Sequence, residues 1–187
     1  MIARTYDIRK SLPVVVYDCQ AGWFSHRAAF MLKSFGHPNV RVLDGGFKKW
    51  TAEGGEVHQA PVASPADYDY SLSSGSVMGF EEVKQISVDK AHQHVDSRPA
   101  SMHTAGAIPN AVNVDSGRMQ NADGTMKSAE EIRQIYEAAG IDLSQPVVFS
   151  CNSGIKASVG YNAALHAGAT GKMSLYDGSW SEWSTKK

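Results

Sequence analysis

The sequence matches itself when it is shifted by 133 residues, and this duplication is the feature that most constrains the fold. The four residues from Pro13 (Pro-Val-Val-Val) fall on the four from Pro146 (Pro-Val-Val-Phe) without a gap. Over residues 13–50 against 146–183, eight of the 38 positions are identical, all in one register. Matches kept in register along a whole segment indicate a repeated structural unit. We name residues 13–50 the first unit and residues 146–183 the second unit.

Both units have the pattern strand, helix, strand, helix. Each opens with a short β-branched run, bounded by Pro in front and a polar loop behind, which is typical of a buried strand. Each closes with an Asp-Gly pair and a short aromatic-rich helix. Strands that alternate with helices over short connections predict an α/β fold with a parallel sheet and right-handed crossovers. The predicted elements are strands at 14–17, 40–43, 147–149 and 172–176, and helices at 25–34 and 157–167.

The second unit is preceded by a front half that the first unit lacks. Residues 79–87 have helical spacing, 94–96 and 111–114 look like strands, and Ser128 with Glu131 forms a capping box for a helix through 139. If this part starts near Val77, the same shift places its counterpart before Met1. We therefore expect about 57 residues of an ordinary first domain to be absent. Residues 54–76 are rich in Gly, Pro and Ser, which is typical of a linker.

Composition excludes several classes of protein. The 18 basic and 19 acidic residues give a formal net charge of −1, so we expect no nucleic-acid partner. The longest aliphatic run is three valines, so no membrane partner is expected. No secretory signal is visible at the start, and two cysteines do not make a disulfide scaffold. We predict a cytoplasmic location, with the mitochondrion as the alternative.

Cys151 is the residue that suggests chemistry. It follows the strand at 147–149 and precedes the helix at 157, and parallel sheets bind ligands at this end of their strands. A thiol at such a position faces a helix N-terminus and a nest of loop amides, which both favour the nucleophilic thiolate. Gly154 permits a tight loop, and Lys156 adds a positive charge. A half-buried structural cysteine is the alternative interpretation.

At these residues the sequence resembles the rhodanese (sulfurtransferase) family. The loop pattern Cys-x-x-Gly-x-x-Ala is matched by Cys151, Gly154 and Ala157. The segments at 95–98 and 106–113 resemble the family's Asp-x-Arg and Gly-His-Ile-Pro-Gly-Ala motifs, with Ala107 in place of the histidine. The tail from Tyr-Asp-Gly-Ser-Trp onward looks like the end of a tandem-domain rhodanese of the 3-mercaptopyruvate type.

This resemblance implies a domain organisation. It spans all of 77–187, which would be a complete catalytic rhodanese domain with a parallel sheet flanked by helices. Residues 1–55 would be a partial, non-catalytic copy, and residues 56–76 the linker. The first unit carries Asp18 where the second carries Cys151, as in an inactive first domain.

The resemblance also implies an activity. Cys151 would take a sulfane sulfur from a small-molecule donor, become a persulfide, and pass the sulfur to a thiol, cyanide or a thioredoxin-like protein. No cofactor and no metal are implied, because both steps are attack by or on sulfur.

Further site residues follow from the resemblance. Ser153 would assist proton transfer, and it favours 3-mercaptopyruvate over thiosulfate because the thiosulfate branch commonly has Arg-Lys after the cysteine. Arg98 would hold the carboxylate or sulfonate of the donor, a task that suits its planar fork. The substrate-binding loop residues would be Asn152, Gly154, Ile155, Lys156 and Ala157.

Other interpretations have less support from the residues. A phosphatase needs an arginine six residues after the cysteine, where this chain has Ala157. His92 and His94 lie on one side of a strand but lack companions at zinc-like spacing. Cys19 is read as a structural or incidental thiol. The remaining alternative to an enzyme is a catalytically weak rhodanese-like module for protein binding or sulfur relay.

Overall fold

The computed structural model describes residues 8–20, 22–59 and 76–186. The strands are β1 (Val14–Val16), β2 (Val40–Val42), β3 (Val77–Met78), β4 (Gln93–Asp96), β5 (Ala111–Asn113), β6 (Val147–Ser150) and β7 (Met173–Tyr176). The helices are α1 (Trp23–Ser34), α2 (Gly46–Ala52), α3 (Phe80–Asp89), α4 (Ala100–Ala105), α5 (Ala129–Ala138), α6 (Ile155–His166) and α7 (Ser179–Lys186), with a 3₁₀ turn at Ser116–Met119. The linker predicted at 56–76 falls mostly outside the described residues.

All strand pairings are parallel, and the α/β prediction is confirmed. One sheet has the order β3-β7-β6-β4-β5, and β1 and β2 form a second, two-stranded sheet. Val14 pairs with Val40 in the small sheet, and Val147 pairs with Met173 in the large one. Both pairs span 26 residues, which is the register that the 133-residue shift predicts.

The capping box predicted the start of α5 correctly, whereas apolar spacing predicted the starts of α1 and α6 two residues too late. Helix α5 begins after Ser128, whose side chain forms the predicted capping box with Glu131. Helices α1 and α6 begin two residues before their predicted starts, directly after Gly22 and Gly154. Both glycines have left-handed backbone angles that bring the chain into the helix, a signal that apolar spacing does not carry. The short elements β3, α4 and the 3₁₀ turn were not predicted.

The core is centred on β6, which is buried along its whole length. Phe149 packs on one face of the sheet with Tyr136 of α5, and Val148 packs on the other with Trp183. Full burial of one such side chain contributes about 1.5–3 kcal/mol. This packing fixes the carboxyl end of β6, where Cys151 follows.

Helix α1 of the first unit packs against α6 of the second. The Phe30 ring meets the Tyr161 ring edge to face, with centroids 5.0 Å apart. The Asn162 amide donates to the backbone carbonyl of His26 at 3.2 Å. The first unit therefore borders α6, which begins four residues after Cys151. Among the described residues, no helix is long and apolar enough to cross a membrane.

Candidate active site

Cys151 lies directly after β6 and is 3% exposed. The chain leaves β4 toward β5 on one side and leaves β6 toward β7 on the other. The carboxyl ends of β4 and β6 are therefore a topological switch point, the place where open α/β sheets bind ligands. The predicted nucleophile thus lies at the position in the sheet best suited to a ligand.

The backbone of Cys151 is fixed to the start of α7. Its N–H donates to the Ser179 hydroxyl at 3.1 Å, and its carbonyl accepts from the N–H of Trp180 at 3.0 Å. The carbonyl of Asn152 accepts from the N–H of Ser181 at 3.0 Å. These bonds use the carbonyls of Cys151 and Asn152 and the N–H of Cys151, so the loop is held to α7 at both residues.

The loop leads into the N-terminus of α6. Gly154 is the buried N-cap residue, with φ of +79°, and Ile155 begins the helix. The first N–H groups of a helix have no partner within it, and they favour an anion. Ala157 is buried beneath them, whereas Asn152 and Ser153 are exposed at the mouth. We name residues 151–154 the Cys151 loop.

Two side chains from α1 extend the site. The ammonium of Lys156 lies 4.9 Å from the centroid of the Trp23 ring. Arg27 pairs with Asp177, which follows β7 beside the Cys151 loop. The rim of the loop therefore carries the positive charge of Lys156, whereas Arg27 of the first unit is paired with the negative charge of Asp177.

Arg98 has partners inside the protein. Its Nε and Nη2 donate to the two carboxylate oxygens of Asp96, Nη2 also donates to the carbonyl of Gly106, and its side chain is 3% exposed. The Trp180 ring covers it, with the ring centroid 4.9 Å from Cζ. These bonds use two of the three guanidinium nitrogens, and the donor-binding role of Arg98 stays a prediction. Cys151 and the loop residues 152–157 lie together.

Asp96 and His103 form a polar pair beside this arginine. The His103 ring nitrogen Nδ1 lies 2.9 Å from Oδ2 of Asp96. Burial raises the pKa of Asp96, but the hydrogen bonds from Arg98 and His103 outweigh burial, and its pKa lies below the usual range. Asp96 is therefore a buried carboxylate held by two basic side chains at the end of β4.

In the first unit, the loop at the corresponding position holds the carboxylate of one of its own residues, Asp18. The Asp18 carboxylate accepts backbone N–H bonds from Gln20 at 2.7 Å, Gly22 at 3.0 Å and Ser25 at 2.8 Å. Partial burial raises the pKa of Asp18, but these bonds outweigh it, so its pKa is lowered. We name residues 18–20 and 22 the Asp18 loop. A loop of this kind surrounds an anionic group with backbone amides.

The comparison with protein families names the fold. The model of the Rhodanese-like domain matches residues 2–53 and 80–186. This chain belongs to the rhodanese family. The two matched parts contain both units and the Cys151 loop.

Similar proteins support this membership. The chain is 37% identical to thiosulfate sulfurtransferase of Gallus gallus and 32% identical to 3-mercaptopyruvate sulfurtransferase of Homo sapiens, each over 91% of this chain. It spans 63% and 62% of the length of these two relatives. The crystal structure of the rhodanese-fold protein SseA from Escherichia coli superposes with a TM-score of 0.86 at 26% identity, over 96% of this chain and 71% of SseA.

Sequence reasoning missed several residues around the Cys151 loop. The repeated Asp-Gly pair was interpreted only as punctuation, yet its second copy supplies Asp177. Ser179 and Trp180 could have been found from the same shift, since they follow that pair. Arg27 had no signal, because its counterpart in the second unit is Gly160.

The remaining candidates lie outside the site. Cys19 is an exposed free thiol beside Asp18. Within residues 8–20, 22–59 and 76–186, no group of three or more His, Cys, Asp or Glu side chains is placed to hold a metal ion.

Proposed function

We propose that this chain is a sulfurtransferase that moves sulfane sulfur from 3-mercaptopyruvate or thiosulfate to a thiol, cyanide or a redoxin-type protein. The sulfur travels as a persulfide on Cys151. The observation that carries the proposal is the thiol of Cys151 just before the N-terminus of α6, in a chain whose relatives are named sulfurtransferases. The catalytic domain is residues 77–187, with residues 1–55 as its partial, non-catalytic companion.

The loading step with thiosulfate needs no redox cofactor. The Cys151 thiolate attacks the outer sulfur, the sulfur–sulfur bond of thiosulfate breaks, and sulfite leaves with the bonding electrons. With 3-mercaptopyruvate, the carbon–sulfur bond breaks instead, and the pyruvate enolate takes up a proton. The exposed Ser153 hydroxyl is the group that we assign to this proton transfer. Because only this donor requires a proton, Ser153 favours 3-mercaptopyruvate.

The unloading step restores the enzyme. An acceptor thiolate or cyanide attacks the terminal sulfur of the persulfide, and Cys151 leaves as the thiolate. The Cys151 loop is at the surface on its Asn152 and Ser153 side, which leaves room for a small acceptor or for the tip of a thioredoxin-like protein.

The amides of residues 152–157 hold the anionic donor and the persulfide. The caged carboxylate of Asp18 supports this role, because the corresponding loop of the first unit surrounds an anion with three N–H groups. Lys156 adds a positive charge at the rim. Arg98 acts as a positioning residue at the end of β4, since its Nε and Nη2 are bound to Asp96 and Gly106.

Mass spectrometry of the intact chain tests the proposal. After incubation with 3-mercaptopyruvate, and separately with thiosulfate, we expect a gain of one sulfur atom on the Cys151 peptide, lost on adding a reductant. Cys151→Ala abolishes the gain, and Cys19→Ala, which removes the other thiol, keeps it in full. The donor that loads faster identifies the preferred substrate.

The alternative is a rhodanese-like module for protein binding or sulfur relay. The internal bonding of Arg98 favours it, because it occupies two of the guanidinium nitrogens predicted to hold the donor. A folded chain that gains no sulfur from either donor would contradict the enzyme and support the module.

A further inference from the structure

Arg27 is the cation of the first unit that reaches closest to the Cys151 loop. Its Nη1 lies 2.5 Å from Oδ1 of Asp177, and the arginine side chain is 21% exposed. Nη1 itself is buried and has no aligned hydrogen bond, so the contact is an ion pair. The pair joins α1 to the residue after β7, across 150 positions of sequence.

Both members of this pair lie close to Gly154. A side-chain carbon built on Gly154 would lie 2.8 Å from Nη1 of Arg27 and 2.8 Å from Oδ1 of Asp177. Gly154 is the N-cap residue of α6, with φ of +79°, so its conformation aims the amides that follow. The Arg27–Asp177 pair therefore lies close against the backbone at the start of α6.

Neighbouring contacts hold Arg27 in place. The Trp23 ring, one turn earlier on α1, lies against the Lys156 ammonium, and the carbonyl of His26 accepts from Asn162. Arg27 also lies over the Phe30 ring, with Cζ 6.0 Å from the centroid. These contacts tie α1 along α6, so the arginine is presented to the loop by a packed helix.

We propose that Arg27, paired with Asp177, is a positioning residue that holds the Cys151 loop in its anion-binding shape. This rests on the proposed sulfurtransferase function and extends it to the first unit, which contributes the clamp although it has no thiol at the corresponding position. When the pair is broken, Gly154 and the amides of 155–157 lose their fixed direction. Binding and transfer of an anionic sulfur then slow, because small displacements of reacting groups are costly.

Three variants of the full chain test the clamp: Arg27→Met, Arg27→Lys and Asp177→Asn. The first readout is the rate at which thiosulfate loads sulfur onto Cys151, and the second is the rate of alkylation by neutral iodoacetamide. We expect Arg27→Met and Asp177→Asn each to slow loading by about 10- to 100-fold. Alkylation needs no anion cradle, so we expect it to change by less than about 3-fold. Arg27→Lys restores part of the loading rate.

Asp177→Asn separates positioning from direct binding. If Arg27 bound the donor itself, freeing it from Asp177 would speed loading, and that result would overturn the proposal. Loading that stays unchanged, or that falls in proportion to alkylation, would also overturn it, because the second pattern means general loss of structure. Lys33→Met, which alters a charge on α1 away from the loop, should leave loading within about 2-fold.

A separate measurement distinguishes failure of the clamp from failure of the proposed function. Sulfate that occupies the loop should protect Cys151 from iodoacetamide without any sulfur transfer. If the wild-type chain loads no sulfur, the sulfurtransferase proposal fails. The clamp is then supported if Arg27→Met and Asp177→Asn weaken sulfate protection at least 5-fold. It is overturned if protection is absent in the wild-type chain or equal in the variants.

Discussion

The Asp18 loop and the Cys151 loop follow equivalent strands and end at equivalent helices, yet they treat an anion in opposite ways. The carboxylate of Asp18 accepts hydrogen bonds from three backbone N–H groups of the first unit. Cys151 has a thiol at the corresponding position, just before the N-terminus of α6. We infer that the same loop shape binds an anion in both units. In the first unit the anion is the carboxylate of Asp18, and in the second, under the proposed function, it is a ligand.

The two loops also differ in their bracing. Each unit has the same backbone bond from the closing helix, Phe47 to the carbonyl of Asp18 and Trp180 to that of Cys151, both at 3.0 Å. Only the second unit adds a hydroxyl, since Ser179 replaces Gly46 and accepts from the N–H of Cys151. The Cys151 loop therefore has a side-chain bond to its closing helix that the Asp18 loop lacks.

The largest expected effect comes from making the second loop resemble the first. Cys151→Asp and Cys151→Asn should both lower sulfur loading by more than about 1,000-fold, because the nucleophile is lost. If the loop is an anion cradle, the Asp variant should match or exceed the Asn variant in free energy of unfolding at pH 7. An Asp variant that is several kcal/mol less stable in urea unfolding, as for an uncompensated buried charge, would break the comparison.

The next effect concerns the pair of Arg98 and Asp96 at the end of β4. Arg98→Met leaves the Asp96 carboxylate buried with only His103 as a basic side-chain partner, so we expect unfolding free energy to fall by about 3–5 kcal/mol. The KM for the donor, measured on the folded fraction, should stay within about 2-fold. A stable variant with a strongly raised KM would instead return Arg98 to the donor-binding role.

Acid should weaken the protein through one histidine near each loop. Burial lowers the pKa of His26 and of His94 to about 4. Between about pH 6.5 and 4 the unfolded chain binds protons that the folded chain does not, so unfolding free energy falls as pH falls, by about 3 kcal/mol for each histidine. Urea unfolding at pH 7 and pH 5 measures about 2 kcal/mol of this dependence for each histidine. His26→Gln and His94→Gln should each remove about half of it, and an unchanged dependence would contradict the assignment.

The smallest effect tests the filled cradle directly. Asp18→Asn should lower unfolding free energy at pH 7 by about 1–2 kcal/mol, because a neutral amide accepts N–H bonds less strongly than a carboxylate. The folded pKa of Asp18 is lowered, so its contribution is present above the unfolded pKa and is lost as pH falls through the folded one. The two proteins should therefore converge in acid. A constant difference at all pH values would mean that the charge does not matter.

Much of the fold could be predicted because its signals are local. The strands at 147–149 and 40–43, the capping box at Ser128 and the glycine after the cysteine depend on residues within a turn or two. The repeat then placed Cys151 at the carboxyl end of a strand, which is a property of chain order. The start of α6 was predicted late, since it depends on the backbone angle of Gly154 rather than on apolar spacing.

The sequence by itself determined the α/β pattern, the duplication and the place of the thiol, because hydrophobic period and turn residues act between near neighbours. Only the tertiary structure decided which charges meet across the chain. Arg98 pairs with Asp96, two residues away, whereas Arg27 pairs with Asp177, 150 residues away. The second pair depends on how α1 lies against α6, which no neighbouring residue specifies.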